Sequence, residues 1–211
     1  MPRTSADAVE ILDAVIRGCS TAFAVDSSDI TVLDEQGVLR YLACPNEPAG
    51  RILALEACAE EGSAAECVRT GEPVNVADLH AQCHRWPCFA PLALREGLTS
   101  VQALPLRDGR TTLGALTLFE RAADALSDKD LRSAQVFADL AVVALGRTAR
   151  SPRPLADAVR GILSARSSIE RATGLIAESG TLAMADAEVL LRCHTRRRAP
   201  ADGHGSLGPA W

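Results

Sequence analysis

Apolar positions change period repeatedly along the first 146 residues, and each change marks an element. Behind Ser5, a helix-capping type, Val9, Leu12, Ile16 and Cys19 recur at three- and four-residue spacing and predict an amphipathic helix. Two β-prone runs, Ile30–Leu33 and Val38–Ala43, flank Asp34-Glu35-Gln36-Gly37 and predict a hairpin. Cys44-Pro45 and Pro48 open a loop, and Arg51–Glu61 is helical in composition. Gly62-Ser63 restarts a short helix over Ala64–Arg69, which Gly71 ends. A brief strand at Val74–Val76 precedes an irregular loop, Asp78–Pro91, and then a helix over Pro91–Glu96 stopped by Gly97. Ser100–Leu106 and Thr112–Phe119 form the clearest hairpin, joined by Arg107-Asp108-Gly109-Arg110. Ser127 with Asp130 makes a capping box for a helix running through Leu131, Val136, Phe137, Leu140 and Val143 to Leu145. This order implies an α+β fold, a largely antiparallel sheet flanked by helices.

After residue 146 the pattern is different. Two prolines in Arg150–Pro154 interrupt any helix, so residues 147–154 read as a linker. Leu155, Val159, Ile162, Ile169 and Ile176 then follow a 4-3 repeat, with Arg166 and Thr173 in the two remaining places. A single apolar seam sustained over three heptads predicts a coiled-coil or helical-bundle module with a dimer interface. A second helix, Asp186–Arg198, carries Arg192, Arg196 and Arg197 close together. Residues 200–211, rich in Gly and Pro, are expected to be disordered.

Composition changes this picture in two places. The chain has 211 residues, is 47% hydrophobic and only 3% aromatic, so its core must be built from Ala, Leu and Val. The net charge of -5 hides an asymmetry: residues 147–199 hold ten arginines against five acids, whereas the front of the chain is acidic. An anionic partner for the back half is one reading, and a solvated arginine-rich helix is the other. Asp7 and Glu10 interrupt any apolar N-terminal run, and no apolar stretch approaches the roughly 20 residues of a membrane span. Seven cysteines without a secretion signal predict reduced thiols and a cytoplasmic location.

Residues 6–146 resemble a GAF domain. The resemblance rests on Gly71-Glu-Pro-Val-Asn-Val-Ala-Asp-Leu79, Arg85-Trp86-Pro87 with Phe89, Gly97-Leu-Thr-Ser-Val101, Ala103-Leu-Pro-Leu106 and Leu113-Gly-Ala-Leu-Thr-Leu-Phe119. Residues 155–199 resemble an ANTAR module through Arg166-x-x-Ile169-Glu170-x-Ala172-x-Gly174, Ala187 and Leu190-Leu191-Arg192. They depart from it at Thr173, where the family has Lys, and at Glu188, where it has an aromatic. The family's closing helix has no counterpart in the pattern after Arg198. The pairing implies a GAF sensor governing a module that binds RNA hairpins in transcription antitermination. It implies Arg166, Arg171, Gly174, Arg192, Arg196 and Arg197 as RNA-binding residues, and a homodimer. It also implies a small-molecule ligand of unknown identity, with Tyr41, Trp86 and Phe89 as pocket residues.

The residues leave two other readings open. The output module could have lost RNA binding, leaving a sensor and dimerisation protein. His80, Cys83, His84 and Cys88 lie within nine residues and offer metal-type donors, so a metal- or haem-binding redox sensor is a third reading. No phosphate loop, nucleophile elbow or His-Glu-x-x-His is present, and the sequence points away from an enzyme.

Overall fold

The computed structural model describes residues 5–43, 60–123, 126–146 and 154–181, with Ala183, Asp186, Ala187 and Leu191 beyond. Residues 51–59 of the helix expected over Arg51–Glu61, the linker residues 147–153 and the tail lie outside the described residues, as do Arg192, Arg196 and Arg197. Among the described residues five strands form one antiparallel sheet: β1 (Ser27–Leu33), β2 (Leu39–Ala43), β3 (Val74–Val76), β4 (Ser100–Asp108) and β5 (Thr111–Glu120). Their spatial order is β2-β1-β5-β4-β3. The described α-helices are α1 (Ser5–Phe23), α2 (Ser63–Thr70), α3 (Phe89–Arg95), α4 (Asp128–Gly146) and α5 (Pro154–Gly180). A 3-10 turn at His80–Gln82 precedes α3, so the expected irregular loop is partly ordered and ends earlier than predicted.

Local chemistry explains most element ends. At the β1–β2 turn, Asp34 Oδ1 accepts from the Gln36 and Val38 amides, each at 2.9 Å, and its Oδ2 accepts from Arg40 Nε at 2.8 Å. Arg40 first, then the Val38 amide, holds the Asp34 carboxyl below its usual range. Ser127 Oγ accepts from the Asp130 amide at 3.2 Å and donates to Asp130 Oδ2 at 2.6 Å, so the Ser127–Asp130 pair picked out in the sequence caps the helix. Pro154 is the first residue of α5, a position where its missing N–H leaves no unmade bond.

Cross-strand register divides the sheet residues between two faces. Ile30, Val32, Leu104, Leu106, Leu116 and Leu118 share one face with Ser28, whose hydroxyl meets Ser20 of α1 at 2.6 Å. Helix α1 therefore covers this face, burying Val9, Leu12, Ile16 and Cys19 as predicted. Helix α4 packs beside it, with Phe137 edge-on to Phe23 at 5.9 Å. Its stripe differs from the expected one. Ala134, Ala138, Ala141, Ala144 and Leu145 point inward, while Val136, Leu140 and Val143 are exposed. Small alanines let the helix approach the layer beneath, so the larger residues take the outer side.

The second face carries smaller residues, Ala103 and Ala115, with Asp29, Thr31, Thr117, Val101 and Phe119, while the buried Ser100 and Gln102 stand on the first face. Cys67 of α2 and Ala90 and Ala93 of α3 pack here with Val74, Val76, Leu79, Trp86 and Phe89.

The chain divides into two compact units, residues 1–166 and 167–211, with the division inside α5. Along the expected seam Ile162 is fully buried within a single chain, and Ile169 and Ile176 are half-buried. The backbones of Leu155, Val159 and Arg166 lie on α5. No helix among the described residues is long and apolar enough to cross a membrane.

Candidate functional site

The leucine face and the alanine–threonine face of the sheet have different physical consequences. Leucines fill the space beneath α1 and α4. On the opposite face Ala103 and Ala115 supply little volume at the sheet centre, and polar side chains stand among them. Asp29 lies directly opposite Thr117 across β1 and β5, and Thr31 lies opposite Ala115. Opposed strand residues have Cβ atoms about 5 Å apart and diagonal ones about 7 Å apart, so the three polar groups form one patch.

All three are buried: Asp29 is 3% exposed, Thr31 6% and Thr117 1%. Thr31 Oγ1 and Thr117 Oγ1 have no hydrogen-bond partner among the described residues. Leaving a buried hydroxyl unbonded costs about 1–3 kcal/mol, so two side by side are a liability unless something else bonds them. Asp29 is engaged in an interaction of its own.

An aromatic wall bounds the β4 side of the patch. Trp86 meets Phe89 edge-on at 5.7 Å, and Phe89 tilts against Phe119 at 6.4 Å. Two acids fix this wall. Glu61 Oε1 accepts from the Phe89 amide at 2.6 Å and from the Cys88 amide, filling the open N-terminus of α3. Glu66 of α2 grips Arg85 through both carboxylate oxygens, and the Arg85 guanidinium lies 4.8 Å from the Trp86 ring centre. At Gly62, with φ +107°, an added Cβ would meet the Phe89 ring at 2.8 Å, so the ring seats directly on bare backbone.

The pocket residues expected from the sequence are thus distributed rather than clustered. Trp86 and Phe89 are wall residues packed into the core, 3% and 6% exposed. Tyr41 is half-buried on β2 and opposite Thr31, at the other end of the same face. Sequence reasoning missed Asp29, Thr31 and Thr117. The available signal was a break in strand chemistry: in Asp29-Ile-Thr-Val32 and Ala115-Leu-Thr-Leu118 the polar residues occupy alternate positions of strands that are buried on both faces.

The donors of the metal reading do not come together as a set. No three His, Cys, Asp or Glu side chains gather among the described residues. His80 turns to Asp78 at 3.0 Å, Cys83 donates to the Leu79 carbonyl, and Cys88 is exposed. A single irregular turn sends these donors in different directions instead of converging them. Cys19 and Cys67 are no better placed, because burial pushes both thiols up to about 12 and keeps them protonated. Of the expected RNA-binding residues, Arg171 is exposed on α5 with its guanidinium 3.4 Å from Ser168, and Gly174 lies one turn further on.

Comparison with known proteins matches the GAF domain over residues 7–145. The chain belongs to the GAF domain family. GAF domains are signal-sensing domains found in sensor proteins, and typically bind ligands. The fold is similar to a domain assigned to a two-component sensor histidine kinase from Sinorhizobium meliloti 1021 (TM-score 0.57, 16% identity, 66% of this chain and 90% of that one). It is similar also to the GAF domain region of a membrane protein from Geobacter sulfurreducens PCA (TM-score 0.56, 23% identity, 65% and 92%). A third likeness is the type II free methionine-R-sulfoxide reductase from Thermoplasma acidophilum (TM-score 0.54, 19% identity, 66% and 93%). No curated protein matches the chain in sequence.

Proposed function

We propose that the protein is a cytoplasmic, signal-responsive transcription regulator and not an enzyme. Its GAF domain binds a small polar molecule over the Asp29–Thr31–Thr117 patch and governs an ANTAR-type segment that binds RNA hairpins as a homodimer. The observation that carries the sensing half is the pair of buried, unpartnered hydroxyls on the small-residue face of the sheet. A ligand offering donors and acceptors to both would remove their desolvation penalty on binding, which gives the bound state a free-energy advantage.

Threonine-to-valine substitution is isosteric and tests this directly. In ligand-free protein, Thr31→Val and Thr117→Val should each raise stability by about 1 kcal/mol, because each removes an unbonded hydroxyl from the interior. The same substitutions should abolish retention of small molecules on protein purified from a metabolite-rich lysate and read by native mass spectrometry. Variants that lose stability, or that retain the same molecules as the parent, would contradict the reading.

The RNA half is supported by Arg166, Ile169, Glu170, Ala172 and Gly174, which stand at motif spacing on the continuous helix α5, and by the positive surplus of residues 147–199. Filter binding to tandem RNA hairpins should show affinity that falls steeply with salt, since each neutralised phosphate releases a counterion, and that Arg192→Ala weakens. Absence of binding at low salt, with the dimer intact by sedimentation, would leave the sensor and dimerisation reading in its place. The half-buried Ile169 and Ile176 are the seam residues a second copy would cover.

A further inference from the structure

Helix α5 begins inside the first compact unit, and an ion pair links it to the β1–β2 hairpin. Arg160 of α5 contacts the Glu35 carboxylate at the tip of the β1–β2 hairpin. Two residues further along, Ile162 is fully buried within the same chain. The tip itself is stiff. Asp34 binds two backbone amides and Arg40, its own amide meets the Val38 carbonyl at 2.8 Å, and the Gly37 amide returns to the Asp34 carbonyl at 3.0 Å. A residue mounted on such a turn moves with the hairpin rather than independently of it. The hairpin also carries one side of the polar patch, since Asp29 and Thr31 stand on β1 and Tyr41 faces Thr31 from β2.

We propose that Glu35 and Arg160 are positioning residues that hold the first half of α5 against the hairpin tip, so that a change at the polar patch reaches α5 through the hairpin. The clamp stands on its own contacts, while its use as a signal path rests on the ligand reading above. Its strength suits a switch. The two side chains are 60% and 52% exposed, so water screens the pair and it biases the position of α5 without locking it. A coupling between sites needs only such a bias, provided that the ligand prefers one of the two arrangements.

Hydrogen exchange of the full chain tests the clamp. Glu35→Arg or Arg160→Glu alone should speed exchange of backbone amides over residues 158–166 by roughly two- to five-fold, the range an exposed ion pair commands. Amides of α1 should keep their parent rates, showing that the sheet and its helix layer remain folded. Combining the two substitutions restores opposite charges in the reversed sense and should return residues 158–166 to near-parent exchange. Parent-like exchange in the single variants, or no recovery in the combined one, would overturn the clamp. The ligand reading fails separately. If Thr31→Val and Thr117→Val gain no stability and still retain small molecules, the patch is not the sensing site, whatever the charge-reversal variants show.

Discussion

Gly114→Ala is expected to be the most destabilising single substitution in the sheet. Gly114 lies on β5 opposite Val32 of β1 on one side and Leu106 of β4 on the other. A Cβ at this position would sit 2.0 Å from the Thr31 carbonyl oxygen, 2.8 Å from the Val32 Cα and 2.9 Å from the Thr31 carbonyl carbon. All three are backbone atoms held in the ladder, so no side-chain rotation relieves the clash. Relief requires β1 to move away from β5, breaking the pairing at the centre of the sheet and displacing Thr31 from the patch. The loss should reach about 4 kcal/mol or more, at the extreme of single substitutions. Domains of this kind have roughly 5–15 kcal/mol in all. Urea unfolding followed by circular dichroism measures it, and a cooperative transition within about 1 kcal/mol of the parent would refute the close approach.

Phe89→Ala should be the next most damaging change, at about 3–5 kcal/mol. The ring is nearly buried, touches Trp86 and Phe119, and covers the bare backbone of Gly62. Removing it opens a cavity that α3 cannot collapse into freely, because the Glu61 carboxylate still holds the Cys88 and Phe89 amides. Phe89→Leu keeps most of the volume and should lose about half as much. In a Trp211→Phe background, where Trp86 is the remaining tryptophan, its emission should shift to the red in Phe89→Ala and stay near that of the parent in Phe89→Leu. An unshifted emission in Phe89→Ala would show that the wall does not depend on this ring.

The two substitutions also separate what was readable along the chain from what was not. Strand and helix positions followed from periodicity, because alternation and the 3.6-residue repeat are local properties that burial then enforces. The cap at Ser127 and the Gly71 stop were legible for the same reason: the groups involved lie within four residues of each other. Helix α4 was legible as a helix, but its buried residues were not: the spacing between layers, and not hydrophobicity alone, turned its alanines and Leu145 inward and left Val136, Leu140 and Val143 outside. Tyr41, Trp86 and Phe89 were singled out as conspicuous aromatics, and Trp86 and Phe89 are packed into the core beside the small-residue face.

What the sequence by itself determined is therefore the element order, the antiparallel α+β class, the GAF family and the residues that cap and stop the helices. Each depends on neighbours in the chain or on an ordered set of short motifs. Tertiary structure alone decided which strand faces are opposed. Asp29, Thr31 and Thr117 become one patch only when β1 and β5 pair in a particular register, and a slip of β1 by one residue would turn Asp29 and Thr31 to the leucine side. It also decided that the donors from His80 to Cys88 diverge, that Glu35 meets Arg160 across the fold, and that Gly114 has no room for a side chain. These are contacts between residues far apart in the chain, and no local pattern encodes the distance between them.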